Sequence, residues 1–91
     1  MDEMIWTGNL SENWRYFIQG MKNYIVAIGY KGKPHDVRTF LLLHYVGEKG
    51  LEVYNTFKFE DDADKLNWDV VTAEFEGYCN PRIWRFKRLP H

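Results

Sequence analysis

The residues best suited to hold a metal ion or to act as a nucleophile are three histidines and one cysteine, at positions 35, 44, 91 and 79. No two of them share the CxxC or HxxxH spacing that brings ligands together on a zinc ion. His44 lies inside an apolar run, which is typical of a hydrogen-bonded histidine at the edge of a core. Cys79 is expected to be a small packing residue rather than a reactive thiol. We therefore predict no metal and no cofactor.

Other catalytic patterns are missing from the sequence as well. There is no GxGxxG or P-loop pattern, and no Ser-His-Asp arrangement that sequence alone can support. The acidic run EDDAD at 60–64 lacks the ligand spacing and the glycine of a calcium loop, so it is expected to be a solvated loop. We predict that the protein is not an enzyme and that it acts through its surface.

The charges are distributed unevenly along the chain. Residues 82–91 carry four cations and no acid (+4), whereas residues 1–81 carry the other 8 cations and all 13 acids (−5). The body therefore lacks the basic composition of a nucleic-acid binder, and RNA binding by the body alone is not expected. A weak nucleic-acid contact is predicted only for the cations of the tail, which alternate with aromatic residues: Arg82, Arg85, Lys87 and Arg88.

The length of 91 residues suits one small domain. The aromatic content of 18% helps, because a few large rings fill a small core efficiently. No apolar run is long enough to cross a bilayer and no secretory signal opens the chain, so no membrane contact is predicted. A single cysteine cannot form an internal disulfide, and the predicted compartment is the reducing cytoplasm.

Four helices must position these residues. The first is predicted over 9–29, with Asn9 or Ser11 as its N-cap and Gly29 as a left-handed C-terminal cap. Its apolar stripe follows a 3-4-3-4 spacing through Trp14, Phe17, Met21, Tyr24 and Ile28.

The remaining three helices are predicted over 37–46, 48–57 and 68–79, separated by an acidic loop over 58–67. Asp36 is the expected cap of the second helix, whose run FLLLHYV is apolar nearly all round and predicts the most central helix. Asp64 or Asn67 is expected to cap the fourth helix, which ends at Asn80-Pro81. The predicted core is Trp14, Phe17, Tyr24, Leu41, Tyr45, Leu51, Tyr54, Trp68, Phe75 and Tyr78.

Three segments follow from this pattern. Residues 1–9 are expected to form a flexible arm, with Ile5 or Trp6 tucked against the body. Residues 10–82 form the helical lobe, and residues 83–91 a basic-aromatic tail.

Several motifs occur in a characteristic order. They are Gly8-Asn9-Leu10 before Glu12-Asn13-Trp14, then Leu42-Leu43-His44 leading to Gly47-Glu48, then Tyr54-Asn55-Thr56-Phe57, and finally Phe75 with Tyr78-Cys79-Asn80-Pro81-Arg82. Their order and spacing over residues 8–82 resemble the N-terminal domain of the capsid protein in Gag of Ty3/Gypsy-type retrotransposons. The resemblance implies an all-α lobe of four to five helices that is structural, associates with Gag-like capsid chains or with itself, and takes part in capsid assembly or interferes with it.

The resemblance leaves two histories and two uses open. The chain is either a piece of a longer Gag or a domesticated, truncated copy. Domesticated capsid lobes, such as those of Arc-like proteins, use a hydrophobic groove to bind short peptides, and an adaptor of this kind is the alternative function. Such a groove is expected between the first two helices and the chain ends. The residues predicted to face partners are Arg15, Gln19, Lys22, Arg38 and His44.

Overall fold

A computed structural model describes residues 1–81, and all the regular structure within that range is helical. The four α-helices are α1 (Leu10–Ala27), α2 (His35–Tyr45), α3 (Gly47–Tyr54) and α4 (Trp68–Cys79), and a 3-10 helix (Asp62–Leu66) precedes α4. The predicted all-α class is confirmed.

Helix α1 begins and ends beside the two capping residues predicted for it, Asn9 and Gly29. The side-chain oxygen of Asn9 accepts a hydrogen bond from the backbone N–H of Glu12 at 3.1 Å, which satisfies one of the free donors of the first turn. Gly29 follows the last turn with a φ of +78°, the left-handed conformation that glycine adopts without steric cost. Both predicted caps, Asn9 and Gly29, are confirmed.

Helix α2 differs from the prediction in its start and in its place in the fold. It begins at His35, directly after Pro34, and Asp36 lies in its first turn instead of capping it. Only Thr39 and Leu42 of this helix are buried, and Phe40 is 57% exposed. The prediction that α2 is the central helix is wrong, because an apolar run does not decide which of its faces a neighbour covers.

The most buried helix is α4, which has five buried residues against two in α2 and packs against α1, α2 and the 3-10 helix. Phe75 has no exposed surface. Its ring stacks on Trp14 with centroids 5.3 Å apart and meets Phe57 edge-on at 5.0 Å. Aromatic rings in these arrangements fill a small core and add specific contact energy.

The two predicted core residues Leu51 and Tyr78 are each 42% exposed, so their predicted burial is wrong. In α4 the buried stripe runs Trp68, Val71, Phe75, Cys79. At about 100° per residue, Tyr78 points about 20° beyond Val71, at the edge of this stripe, and its ring lies edge-on to Trp6 with centroids 6.2 Å apart. Helix α3 packs through Gly50 and Val53, which leaves Leu51 on its outer side.

The other predicted core residues fall into two groups. Trp14, Phe17, Trp68 and Phe75 are buried. Leu41, Tyr45 and Tyr54 are half-buried and pack around the edge of the core. Tyr24 is also half-buried, and its ring lies edge-on to Tyr45 with centroids 5.5 Å apart. Met21 of the predicted α1 stripe and Cys79, which is predicted as a packing residue, are buried as expected. The core further contains Met4, Ile25, Leu42, Val46, Val53 and Val71.

The acidic segment before α4 is more ordered than the solvated loop that its charges predict. Its 3-10 helix is held against α2 by a hydrogen bond that the buried Thr39 hydroxyl donates to the carbonyl of Leu66 at 3.2 Å. The Tyr54 hydroxyl donates a second bond to the carbonyl of Lys65 at 2.6 Å. Asn67 accepts from the N–H groups of Asp69 and Val70, which confirms it as the cap of α4.

The N-terminal arm, residues 1–9, packs on the body, so the prediction of a flexible arm is replaced by a docked one. Met4 is buried, and its backbone N–H donates to the carbonyl of Tyr45 at 3.0 Å. The Trp6 indole Nε1 donates to the carbonyl of Val46 at 2.8 Å. Of the two residues expected to tuck in, Trp6 is half-buried and Ile5 is 62% exposed.

Candidate functional site

Within residues 1–81, two grooves run along α1 on opposite flanks of its buried stripe. The first, the arm groove, is bordered on α1 by Asn13, Tyr16, Phe17 and Gly20. The second, the basic groove, is bordered on α1 by Lys22, Ile25 and Val26. At about 100° per residue, the centres of these two sets lie about 180° apart around the helix axis. One helix therefore offers two separate surfaces to the outside.

The arm groove has a volume of about 400 Å³ and lies between α1 and the first residues of the arm. Its apolar lining is open to solvent, since Ile5 is 62% and Tyr16 68% exposed. Asp2 and Glu3 are the charged side chains among its described lining residues. This groove can accept an apolar side chain beside a cationic one.

The wall of the arm groove is fixed by one side chain of α1. The Asn13 amide Nδ2 donates to the carbonyl of Thr7 at 2.7 Å and to that of Ile5 at 3.2 Å. Met1 reaches across to Gly20, where its Cε lies 3.8 Å from the position of an added Cβ. Because that separation is an ordinary van der Waals contact, an alanine at Gly20 would fit without displacing the arm.

The basic groove has a volume of about 210 Å³ and lies where α1, α2, the linker between them and the start of α4 meet. Its described lining residues are Lys22, Ile25, Val26, Lys31, Arg38 and Trp68. Three are cations and none is an acid. Val26 is 58% exposed, so the groove combines an apolar surface with a positive rim.

Arg38 is held in place over the floor of this groove. Its Nε donates to the carbonyl of Lys33 at 3.1 Å, and its guanidinium lies 5.7 Å from the centroid of the buried Trp68 ring. That separation is within cation–π range, and such a stacked guanidinium keeps donors free for a carboxylate. No carboxylate within residues 1–81 forms a salt bridge with Arg38.

The structure brings together only part of the predicted interaction face. Lys22 and Arg38 line the basic groove. Arg15 and Gln19 are exposed on α1 but are not among the lining residues of either groove. His44 is exposed on α2, with its ring edge-on to Tyr45 at 5.0 Å. The predicted nucleic-acid contacts Arg82, Arg85, Lys87 and Arg88, and the tail 83–91, lie outside the described residues.

Sequence reasoning identified two of the six described lining residues of the basic groove as partner-facing, Lys22 and Arg38, and none of those that line the arm groove. Ile5, Tyr16 and Val26 are apolar residues at outward positions, and such exceptions to amphipathic patterning are the signal that could have found them. Lys31 and Trp68 are distant from Lys22 in sequence, and only the packing of α4 and the linker on α1 places them in one groove.

The thiol of Cys79 is shielded from solvent. Cys79 is 5% exposed, and burial raises the pKa of its thiol to about 12, so the thiol stays protonated near neutral pH. Burial also raises the pKa of the Tyr54 hydroxyl. Within residues 1–81 no group of three or more His, Cys, Asp or Glu side chains is placed to hold a metal ion.

Comparison with known proteins adds no relative. No protein-family model, curated protein or solved structure matches the chain. Among the described helices, none has the length and apolar character needed to cross a membrane.

Proposed function

We propose that this protein is a non-enzymatic association lobe of the Gag capsid type, which binds other copies of itself or related capsid chains in assembly or in interference with assembly. The observation that carries the proposal is the pair of open grooves on α1, in which Ile5, Tyr16 and Val26 leave more than half of their surface in water. Exposed apolar side chains gathered beside grooves mark surfaces that other proteins cover. The motif order that resembles Ty3/Gypsy capsid lobes supports the choice of partner.

The test is sedimentation of the full chain over a wide concentration range, alone and with a related full-length Gag capsid protein. We expect the average mass to rise with concentration and the chain to co-sediment with the capsid protein. The variants Tyr16→Ser and Val26→Ser should weaken both effects by about tenfold each, since each removes most of an apolar side chain from the interface. Phe40→Ser is the matched control, because Phe40 is 57% exposed and lines neither groove.

A chain that stays monomeric at about 1 mM and does not co-sediment with the capsid protein would contradict the proposal, because a Kd weaker than about 1 mM corresponds to less than about 4 kcal/mol of binding free energy. Equal loss of association in Phe40→Ser would show that the grooves are not the contact surface.

The arm groove favours a second candidate, a peptide-binding adaptor. Its volume of about 400 Å³ accommodates one or two side chains of an extended peptide, and the arm beside it is already held in a fixed conformation. A peptide library screened against the full chain tests this function. Peptides that bind the wild type and Phe40→Ser but not Tyr16→Ser would support this function. An absence of peptide ligands together with self-association would favour the capsid-type lobe.

A further inference from the structure

The two grooves on α1 carry opposite charges. Asp2 and Glu3 line the arm groove, and neither Lys nor Arg is found among its described lining residues. Lys22, Lys31 and Arg38 line the basic groove, where the described lining contains no acid. Within residues 1–81 the salt bridge that forms is between Lys65 and Asp62, so none of these five charges is neutralised by a partner inside the described fold.

Both grooves also pair their charges with exposed apolar surface. In the arm groove the two acids lie between Met1, which is 40% exposed, and Ile5, which is 62% exposed. In the basic groove the cations surround Val26, which is 58% exposed. The two surfaces therefore match in chemical character and are opposite in sign, as the two sides of a specific interface are.

The two grooves lie on opposite flanks of α1, so one molecule cannot bring its own acidic arm into its own basic groove while the arm stays docked. The arm is fixed by the bonds that Asn13 donates to Thr7 and Ile5, and by the bond from Trp6 to Val46. A second molecule can present its arm edge to the basic groove of the first without any rearrangement of either.

We propose that the basic groove binds the acidic arm edge, residues 1–5, of a second copy of the chain, so that copies associate head to tail. This inference rests on the proposed function of self-association and names its two surfaces. A contact between two different patches leaves one free groove at each end of a dimer, and further copies add until a ring closes or a filament grows. The acids of the arm lie against Lys22, Lys31 and Arg38, and Ile5 covers Val26.

The charges at this contact are exposed to solvent, so the association should depend on salt. The screening length is about 10 Å at 0.1 M salt and about 3 Å at 1 M, and exposed ion pairs lose most of their strength over this range. We expect weaker association of the full chain in 1 M than in 0.1 M NaCl, whereas a purely apolar contact would be unchanged or strengthened by salt.

The experiment uses sedimentation velocity on the full chain and two groove variants. Lys22→Gln with Lys31→Gln removes two of the three cations of the basic groove, and Asp2→Asn with Glu3→Gln removes both acids of the arm edge. Each double variant should need about tenfold higher concentration for half-association, because it removes about two exposed ion pairs. The matched controls are Lys49→Gln with Lys58→Gln and Glu52→Gln with Glu76→Gln, which change the net charge equally at exposed positions outside both grooves.

Mixing the two groove variants gives the decisive measurement. The basic-groove variant keeps a native arm edge, and the arm variant keeps a native basic groove, so one native contact can form between them and none within either. At a concentration where each variant alone is monomeric, the mixture should form a one-to-one dimer and stop there. A contact between identical patches would not be restored by mixing.

The outcomes separate this inference from the proposed function. A wild-type chain that associates while the groove variants associate equally well overturns the head-to-tail contact and leaves self-association standing. A wild-type chain that stays monomeric overturns both. Binding of an acidic peptide to the basic groove in place of a second copy, with the wild type monomeric, would assign the groove to a different partner and also overturn the inference.

Discussion

The indole Nε1 of Trp6 donates a hydrogen bond of 2.8 Å to the backbone carbonyl of Val46, across 40 positions of the sequence. This bond ties the N-terminal arm to the junction of α2 and α3. The Trp6 ring also packs at 6.2 Å from the ring centroids of Phe75 and Tyr78, so one arm residue reaches the centre of the core. The arm is therefore part of the fold, and the groove it borders has a fixed wall.

The first prediction concerns this contact between Trp6 and Val46. Trp6→Ala removes the ring and the hydrogen bond together and should lower the free energy of unfolding by about 3 kcal/mol. Trp6→Phe keeps most of the ring contact and loses the donor, so its cost should be about 1 kcal/mol. Urea denaturation followed by circular dichroism measures both. Ile5→Ala is the control, because a side chain 62% exposed should change stability by less than about 0.5 kcal/mol.

The second prediction concerns the ring cluster around α4. Phe75→Ala and Trp14→Ala should each cost about 3–5 kcal/mol, because both rings are buried and stack on each other at 5.3 Å. A loss of this size is a large fraction of the stability of a small domain, so the variants should be largely unfolded by circular dichroism at 37 °C. Tyr16→Ala, which truncates a ring 68% exposed, should melt like the wild type. Native-like melting of Phe75→Ala would show that the core is packed differently.

The third prediction sets helix propensity against packing at Gly50. In an open helix position, alanine stabilises by about 1 kcal/mol relative to glycine. Here an added Cβ would lie 2.6 Å from Val46 Cγ2 and 3.1 Å from Trp6 Cζ2, closer than packed atoms allow. Gly50→Ala should therefore destabilise the fold by about 1–3 kcal/mol.

The control for Gly50 is Gly32→Ala, since an added Cβ at Gly32 meets no atom within 4 Å. Thermal melts followed by circular dichroism measure both variants, and Gly32→Ala should be neutral or slightly stabilising. If Gly50→Ala were as stable as Gly32→Ala, the close packing of Val46 and Trp6 against Gly50 would be wrong.

The fourth prediction concerns Cys79. Its pKa in the folded state is raised by burial from 9.0 to about 12, so at a given pH near neutrality the folded protein holds about a thousandfold less thiolate than the unfolded chain. A disulfide reagent at pH 8 should modify the thiol slowly in buffer and rapidly in 8 M urea. Rapid modification in buffer would show that Cys79 is accessible.

The same shift has a consequence for stability against pH. Above pH 9 the unfolded chain releases the thiol proton while the folded chain keeps it, so the unfolded state binds fewer protons and stability falls as pH rises. The contribution of the protonated Cys79 thiol to the free energy of unfolding is complete below pH 9 and is lost between pH 9 and about 12. Other groups titrate in this range, so the measurable quantity is the difference between the wild type and Cys79→Ala. The wild type should lose more stability than the variant between pH 8 and pH 10.5.

The helices and three of their caps, Asn9, Gly29 and Asn67, could be predicted from the sequence because they depend on neighbours a few positions apart. The Asn9 and Asn67 caps act on backbone groups two or three residues ahead, and Gly29 adopts its left-handed conformation by itself. The apolar stripes identified the inward faces of α1 and α4, where the α4 stripe follows a 3-4-3 spacing through Trp68, Val71, Phe75 and Tyr78. They failed at the last turn of each, where Ile25 and Cys79 are buried in place of Ile28 and Tyr78.

The candidate site was harder to predict from local sequence patterns. The sequence alone pointed to Lys22 and Arg38 as outward cations. It could not place Lys31 and Trp68 beside them, or predict that the arm would dock and form a groove with Tyr16. These arrangements depend on contacts between residues far apart in the chain, such as Trp6 with Val46 and Arg38 with Trp68. Local patterns therefore determined that this protein is a small helical lobe, and only the packing of its helices decided which charges and apolar side chains meet in its two grooves, because burial is settled by the neighbour that covers a face.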